Sequence, residues 1–171
     1  DPAAEEKKDR TEFASFHNRR KLEARAFASQ RLPGRRVGGP VIGLPQTLSS
    51  YSHGPLWQTL LDGLGARVLY SRTTNERTRE LASGLVGSEY CFPAKLAHGH
   101  VADLLERGSA DWLFLPHIIS EVVPPEHTRA FLCPVVCAIP AMTRSALKVA
   151  GKEGGERILS PLVDLRWDEK R

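Results

Sequence analysis

From Val37 onward, short apolar runs alternate with stretches whose apolar residues recur every three or four positions. The runs read as buried strands and the periodic stretches as amphipathic helices. Val41-Ile42-Gly43-Leu44 is the first strand, and Pro45 to Gly54 form the loop after it. Pro55 is expected to open a helix with Leu56, Trp57, Leu60, Leu61 and Leu64 on its apolar face and Gly65 as its stop. Arg67-Val68-Leu69-Tyr70 reads as the second strand, and Thr73 or Thr74 as the cap of a helix running to about Leu85. A further helix starts near Pro93, where a proline loses no hydrogen bond. Its stripe is Ala94, Ala97, Val101, Leu104 and Leu105, and it closes near Gly108. Asp111 to Leu115 is the third strand and Ala130-Phe131-Leu132 the fourth. A helix is expected from about Pro140 to Ala150, and Ile158 to Leu165 as an edge strand. Strands alternating with helices imply an α/β domain over residues 37–171, a mostly parallel sheet flanked by helices, Rossmann-like or flavodoxin-like.

Ahead of that domain, residues 5–31 lack Gly and Pro and read as a helix with Phe13, Phe16, Ala24 and Phe27 on a narrow stripe that Arg20 and Arg31 interrupt. Leu32-Pro33-Gly34-Arg35-Arg36 breaks it, so residues 1–36 form a basic helical connector. Charge supports the division. Residues 1–36 hold ten basic and six acidic groups, which account for the whole net charge of +4, whereas residues 37–171 hold fourteen of each sign. A pI near 9.2 therefore does not point the domain at nucleic acid, and the connector lacks the interleaved aromatics that single-strand binders stack on. The connector is expected to pack on a neighbouring domain by its Phe edge. A start at Asp1, without Met or an apolar leader, is what a piece cut from a longer chain would show. No apolar run approaches the roughly 20 residues of a membrane span, so no membrane is expected. Three cysteines in 171 residues fit a reducing, cytoplasmic compartment better than a disulfide framework.

Candidate chemistry gathers in Ser88-Glu89-Tyr90-Cys91-Phe92-Pro93, with His98 and His100 on the helix that follows. Cys91 falls just before a helix N-terminus, where free N–H groups and the dipole favour a thiolate. In an open parallel sheet ligands sit beyond the carboxyl ends of the strands. Cys91, Cys133, which follows strand four, and His117 and Glu121, which follow strand three, are all expected at that edge. Cys133 and Cys137 add two sulfurs in an undiagnostic spacing, and both can equally be small buried residues. At about 100° per residue His98 and His100 point to opposite rims of the stripe, so one ion cannot take both; each reads as a local hydrogen-bonding residue, with Gly99 between them allowing close packing. No nucleophile elbow, phosphate loop or dinucleotide fingerprint occurs, so neither hydrolase chemistry nor a nucleotide site is expected in this chain.

Several of these segments together resemble one family. Val41-Ile42-Gly43-Leu44-Pro45 with Tyr51 and Pro55-Leu56-Trp57, Ser88-Glu89-Tyr90-Cys91-Phe92-Pro93-Ala94-Lys95, and Leu96-Ala97-His98-Gly99-His100-Val101 are similar to the opening and core motifs of acyl-CoA dehydratase activase-related proteins. Phe114-Leu115-Pro116, Phe131-Leu132-Cys133-Pro134 and Ile139-Pro140 extend the likeness, in order, to about Leu165. The resemblance implies a domain similar to the subunits of 2-hydroxyacyl-CoA dehydratases and benzoyl-CoA reductases, which hold 4Fe-4S clusters on cysteines at strand ends. It implies a part in low-potential electron transfer, with Cys91 and Cys133 as cluster ligands; Cys137, His100, Glu89 and His117, read from the residues and not from the resemblance, are the further candidates for an additional ligand or support. It also implies partners: a preceding ATP-dependent activase domain and dehydratase-type subunits. The isolated chain is expected to have no activity of its own. The competing reading is a non-catalytic interaction module with structural cysteines whose sheet edge docks a partner; a thiol-redox enzyme ranks behind both, because C-x-x-C is absent.

Overall fold

The computed structural model of the chain describes residues 38–87, 89–124, 126 and 130–166. The expected connector helix over residues 5–31 and its break at residues 32–36 lie outside the described residues. Four strands, β1 (Val41–Leu44), β2 (Arg67–Tyr70), β3 (Trp112–Phe114) and β5 (Ile158–Leu159), form a parallel sheet in the order β2-β1-β3-β5. β4 (His117–Ser120) and β6 (Leu162–Asp164) pair in parallel as a second, two-stranded sheet. The helices are α1 (Ser50–Gly63), α2 (Glu76–Leu85), α3 (Phe92–Arg107) and α4 (Pro134–Val149). The fold is α/β with a mostly parallel sheet, as the periodicity implies.

Residue alternation along each strand sorts the core into two layers. Ile42, Leu44 and Phe114 face α1 and pack with Trp57, Leu61, Ala66 and Ile118. Leu113, Leu115 and Ile158 face the other way, onto Leu81, Ala97, Val101, Leu104, Ile139 and Leu147 from α2, α3 and α4. Each large side chain buried here contributes roughly 1.5–3 kcal/mol. Gly43 lies under α3, where an added Cβ would stand 2.7 Å from a Leu113 methyl.

Several boundaries depart from the sequence pattern, each for a local reason. α1 begins five residues before Pro55, because the N–H groups of Ser50, Tyr51, Ser52 and His53 find the carbonyls of Thr47, Leu48 and Ser49. The proline is thus inside the helix. Only Gly54, Trp57, Gln58 and Leu61 of the helix are buried, and Leu56, Leu60 and the C-capping Leu64 are exposed. α2 is capped by Asn75, not Thr73 or Thr74: the Asn75 side chain accepts from the Thr78 N–H while the Thr78 hydroxyl takes the Asn75 N–H, a reciprocal capping box. α4 starts at Pro134, with Pro140 in its interior. The expected fourth strand at 130–132 is reduced to one antiparallel bridge between Phe131 and Ser120. The extended segment instead follows Pro116, over His117–Ser120. Ser160-Pro161 splits the expected edge strand into β5 and β6, yet the ladder carries on, with Leu115 N–H bonding Leu159 O and His117 N–H bonding Pro161 O.

Candidate functional site

α3 leads into β3, and α4 leads through a short 3-10 turn into β5. A helix that feeds a parallel strand runs antiparallel to it, so both helices start at the carboxyl edge of the sheet. Two contacts give their mutual register. His98 meets Thr143 at 2.8 Å, 45 positions apart in sequence, and Glu106 meets Lys152 at 4.0 Å, 46 apart. The first contact joins α3 to α4 and the second, with a similar offset, joins α3 to the turn just past the end of α4, so the two helices run parallel and nearly in step. The same offset sets Cys91 level with Val136, about 4.5 Å of helix rise from Cys133. Tyr90 and Val135, neighbours of the two cysteines, pack on one apolar cluster.

Cys91 is the N-cap of α3 and Cys133 the N-cap of α4. Their backbones match, at φ −58°, ψ 140° and φ −53°, ψ 130°, and each is followed by a proline in the first turn. Both are exposed, and neither sulfur caps its helix or takes any other partner among the described residues. Exposure of Cys133 corrects the alternative in which it is a buried residue. The sequence contained the signal, since Cys91-Phe92-Pro93 and Cys133-Pro134 are variants of one helix start, obscured by assigning the later helix to Pro140.

Cys137 has a different surrounding. Its thiol donates to Ile118 O at 3.0 Å, and burial pushes its pKa up, with the neighbouring Cys133 adding to the effect. It is a satisfied, protonated thiol joining α4 to β4. His117 stands beside it, half-buried, with Nδ1 donating to Cys137 O at 2.7 Å; that bond leaves the Nε2 lone pair without a partner among the described residues. Glu89 is fully out in solvent and paired with Lys95 at 2.7 Å. Glu121 receives Nε2 of His53 at 2.9 Å, and Nδ1 of the same ring reaches Ser49 O at 3.2 Å, tying the start of α1 to the end of β4.

Both histidines of α3 are buried, at 0% and 1% exposure. His98 lies between the Tyr90 hydroxyl at 2.5 Å and the Thr143 hydroxyl at 2.8 Å. His100 lies between the Ser71 hydroxyl at 2.8 Å and the Thr74 hydroxyl at 3.0 Å. A hydroxyl can donate or accept, so two of them satisfy a neutral imidazole in either tautomer. Burial holds each ring's pKa down to about 4; for His100 the Asp103 carboxylate offsets part of that. Their opposite directions are those the helical angle requires, and neither ring has a nitrogen left over. Gly99 between them lies against α2, where a Cβ would come 2.1 Å from Thr78 O.

Among the described residues no three His, Cys, Asp or Glu side chains gather as a metal cage, and no helix is long and apolar enough to cross a membrane. The molecule is thus an α/β domain whose carboxyl edge presents two free thiols on parallel helix starts. The sequence profile of a family described as CoA enzyme activase uncharacterised domain (DUF2229) matches residues 41–171, and the chain belongs to that family. No curated protein and no solved structure matches the chain.

Proposed function

We propose that the chain is an accessory domain of a CoA enzyme activase-type protein and presents Cys91 and Cys133 as thiolate ligands to a 4Fe-4S cluster. The observation that supports this reading is the matched pair of unpartnered, exposed N-cap cysteines on two in-step helices. The thiolate is the ligating form of cysteine, and both sulfurs are open to solvent at the helix starts. The fit is to half of a four-ligand set, since the described residues offer no third free sulfur beside the pair. The chain's part is then to hold two ligands rigidly at an open edge, with the remaining ligands supplied by another segment or partner. A cluster bound there supplies one-electron transfer at low potential. Suitable partners are a preceding ATP-dependent activase domain and dehydratase-type subunits, in keeping with the family's description.

The test is iron and acid-labile sulfide per chain after anaerobic reconstitution of wild type, Cys91→Ser, Cys133→Ser and Cys137→Ser. Loss in the first two variants and retention in the third is the expected result. A wild-type chain that takes up no iron, even with excess small-molecule thiol present to fill the remaining ligand positions, overturns the reading for this chain.

A second reading has its own observation. Leu56, Leu60 and Leu64 are spaced i, i+4, i+8 along α1 and are 47%, 45% and 75% exposed, an apolar stripe on the face opposite the thiol-bearing helices. That pattern suits a docking module and predicts a metal-free protein that is fully stable without iron.

A further inference from the structure

We propose that Tyr90, His98 and Thr143 are positioning residues that set the separation of the Cys91 and Cys133 thiols, an inference that rests on the reading of those two cysteines as a working pair.

Three observations carry it. Tyr90 is covalently adjacent to Cys91, and its hydroxyl bonds His98 Nε2 at 2.5 Å. His98 is on α3, and its other nitrogen bonds Thr143 on α4, the helix that Cys133 caps, at 2.8 Å. One hydrogen-bonded chain therefore runs from the Cys91 loop, through α3, into the Cys133 helix. The second observation is its burial. His98 and Thr143 are both 0% exposed. A polar chain in that setting is costly when any link is broken, because the remaining group stays desolvated without a partner. It therefore has strongly preferred distances, which apolar contacts alone do not have. Third, among the described residues no other polar contact bridges the two helices along their N-terminal halves; the Lys152–Glu106 pair lies just past the end of α4 and is solvent-exposed. Apolar packing of Ala94, Ala97 and Ile139 brings α3 and α4 together, but smooth aliphatic surfaces tolerate sliding by fractions of a turn. The imidazole between two hydroxyls removes that freedom. The edge-to-face ring contact of Tyr90 on His98, centroids 5.9 Å apart, adds a second restraint on the Cys91 loop.

The test measures spacing directly and needs no iron. In a Cys137→Ser background, whose hydroxyl can keep the bond to Ile118 O, Cys91 and Cys133 are cross-linked with bis-maleimides of graded length, and each thiol's alkylation rate by a monofunctional maleimide is measured alongside. The wild-type pair is expected to favour one narrow range of linker length. Tyr90→Phe and Thr143→Val are expected to lower the yield at that length about fivefold and broaden the length preference, with single-thiol rates changed less than twofold. Thr143→Ser, which restores the hydroxyl, is expected to recover the wild-type profile. Tyr90→Phe keeps the ring and removes only one oxygen, so it remains informative if Thr143→Val fails to fold. An unchanged profile in a folded Tyr90→Phe or Thr143→Val protein, or a wild-type pair that cross-links at no length, overturns the proposal. The narrow profile with no iron uptake would retain the positioning chain and remove the cluster reading.

Discussion

Three cysteines in one short chain have been given two distinct environments by their backbones. Cys91 and Cys133 occupy N-cap positions with exposed sulfurs that take no hydrogen bond among the described residues, whereas Cys137 lies one helical turn past Cys133 and donates a hydrogen bond to Ile118 O. Thiol reactivity follows the accessible thiolate, so burial and a protonated state both slow Cys137. Limiting iodoacetamide near neutral pH, read by peptide mass spectrometry, is expected to label Cys91 and Cys133 at least about tenfold faster than Cys137. Equal labelling of all three would refute the separate environments. The same distinction holds for the imidazoles. His98 and His100 have both nitrogens satisfied by hydroxyls, while His117 is anchored through Nδ1 alone and keeps Nε2 beside the carboxyl edge. Hydrogen bonding is what separates these three rings.

Among the elements, α3 is the one on which the others depend. It buries every residue from Ala97 to Leu104, because α2 covers one side of it and α4 and the sheet the other. Close approach to α2 requires the absence of a side chain at residue 99, where a Cβ would meet the Thr78 carbonyl at 2.1 Å and Ala82 at 3.0 Å. Helix propensity alone would reward Gly99→Ala by about 1 kcal/mol. Packing reverses the sign, because a backbone carbonyl cannot rotate away as a side chain does. The expected outcome is destabilisation by about 3 kcal/mol, read as a lower urea midpoint. A stabilised Gly99→Ala protein would mean that α2 and α3 are farther apart than described. Gly84, with nothing within 4 Å of an added Cβ, is the matched control on α2 and should tolerate alanine.

At the scale of the whole molecule, the two buried histidines link folding to pH. Each has a folded pKa near 4 against an ordinary value of 6.5. Between those values the unfolded chain takes up protons that the native chain refuses, so stability rises with pH across the window. It is complete above about pH 6.5 and is lost as pH falls toward 4, by on the order of 3 kcal/mol for each histidine. Urea unfolding at pH 7.5, 5.5 and 4.5 should show falling midpoints, with the imidazole proton resonances of His98 and His100 unmoved above about pH 5. Either resonance titrating near 6.5 would show a ring open to water and defeat the prediction. The loss concerns the very chain that joins the α3 and α4 starts, since a charged His98 would need two acceptors and an energetically costly buried charge.

Local pattern determined the α/β class, the parallel sheet, the stripe of α3 and the placing of Cys91 at a helix start, because alternation, 3.6-residue periodicity and proline preference act within a few residues of one another. The tight spacing at Gly99 was also legible, as a glycine between two buried polar residues on a helix. Tertiary structure decided the rest. Pro55 and Pro140 each read as a helix start and lie inside helices, since loop carbonyls before Pro55 and the Cys133–Pro134 helix start before Pro140 supplied earlier turns. His117–Ser120 became a strand, and 130–132 a single bridge, because β6 offered a partner edge to one and not to the other. The apolar face assigned to α1 was half exposed, since a helix has more apolar residues than one sheet face can cover. Most of all, the Thr143 partner of His98 and the common edge of Cys91 and Cys133 bring together residues more than forty positions apart. Such pairings arise when layers dock, and no short-range pattern encodes them.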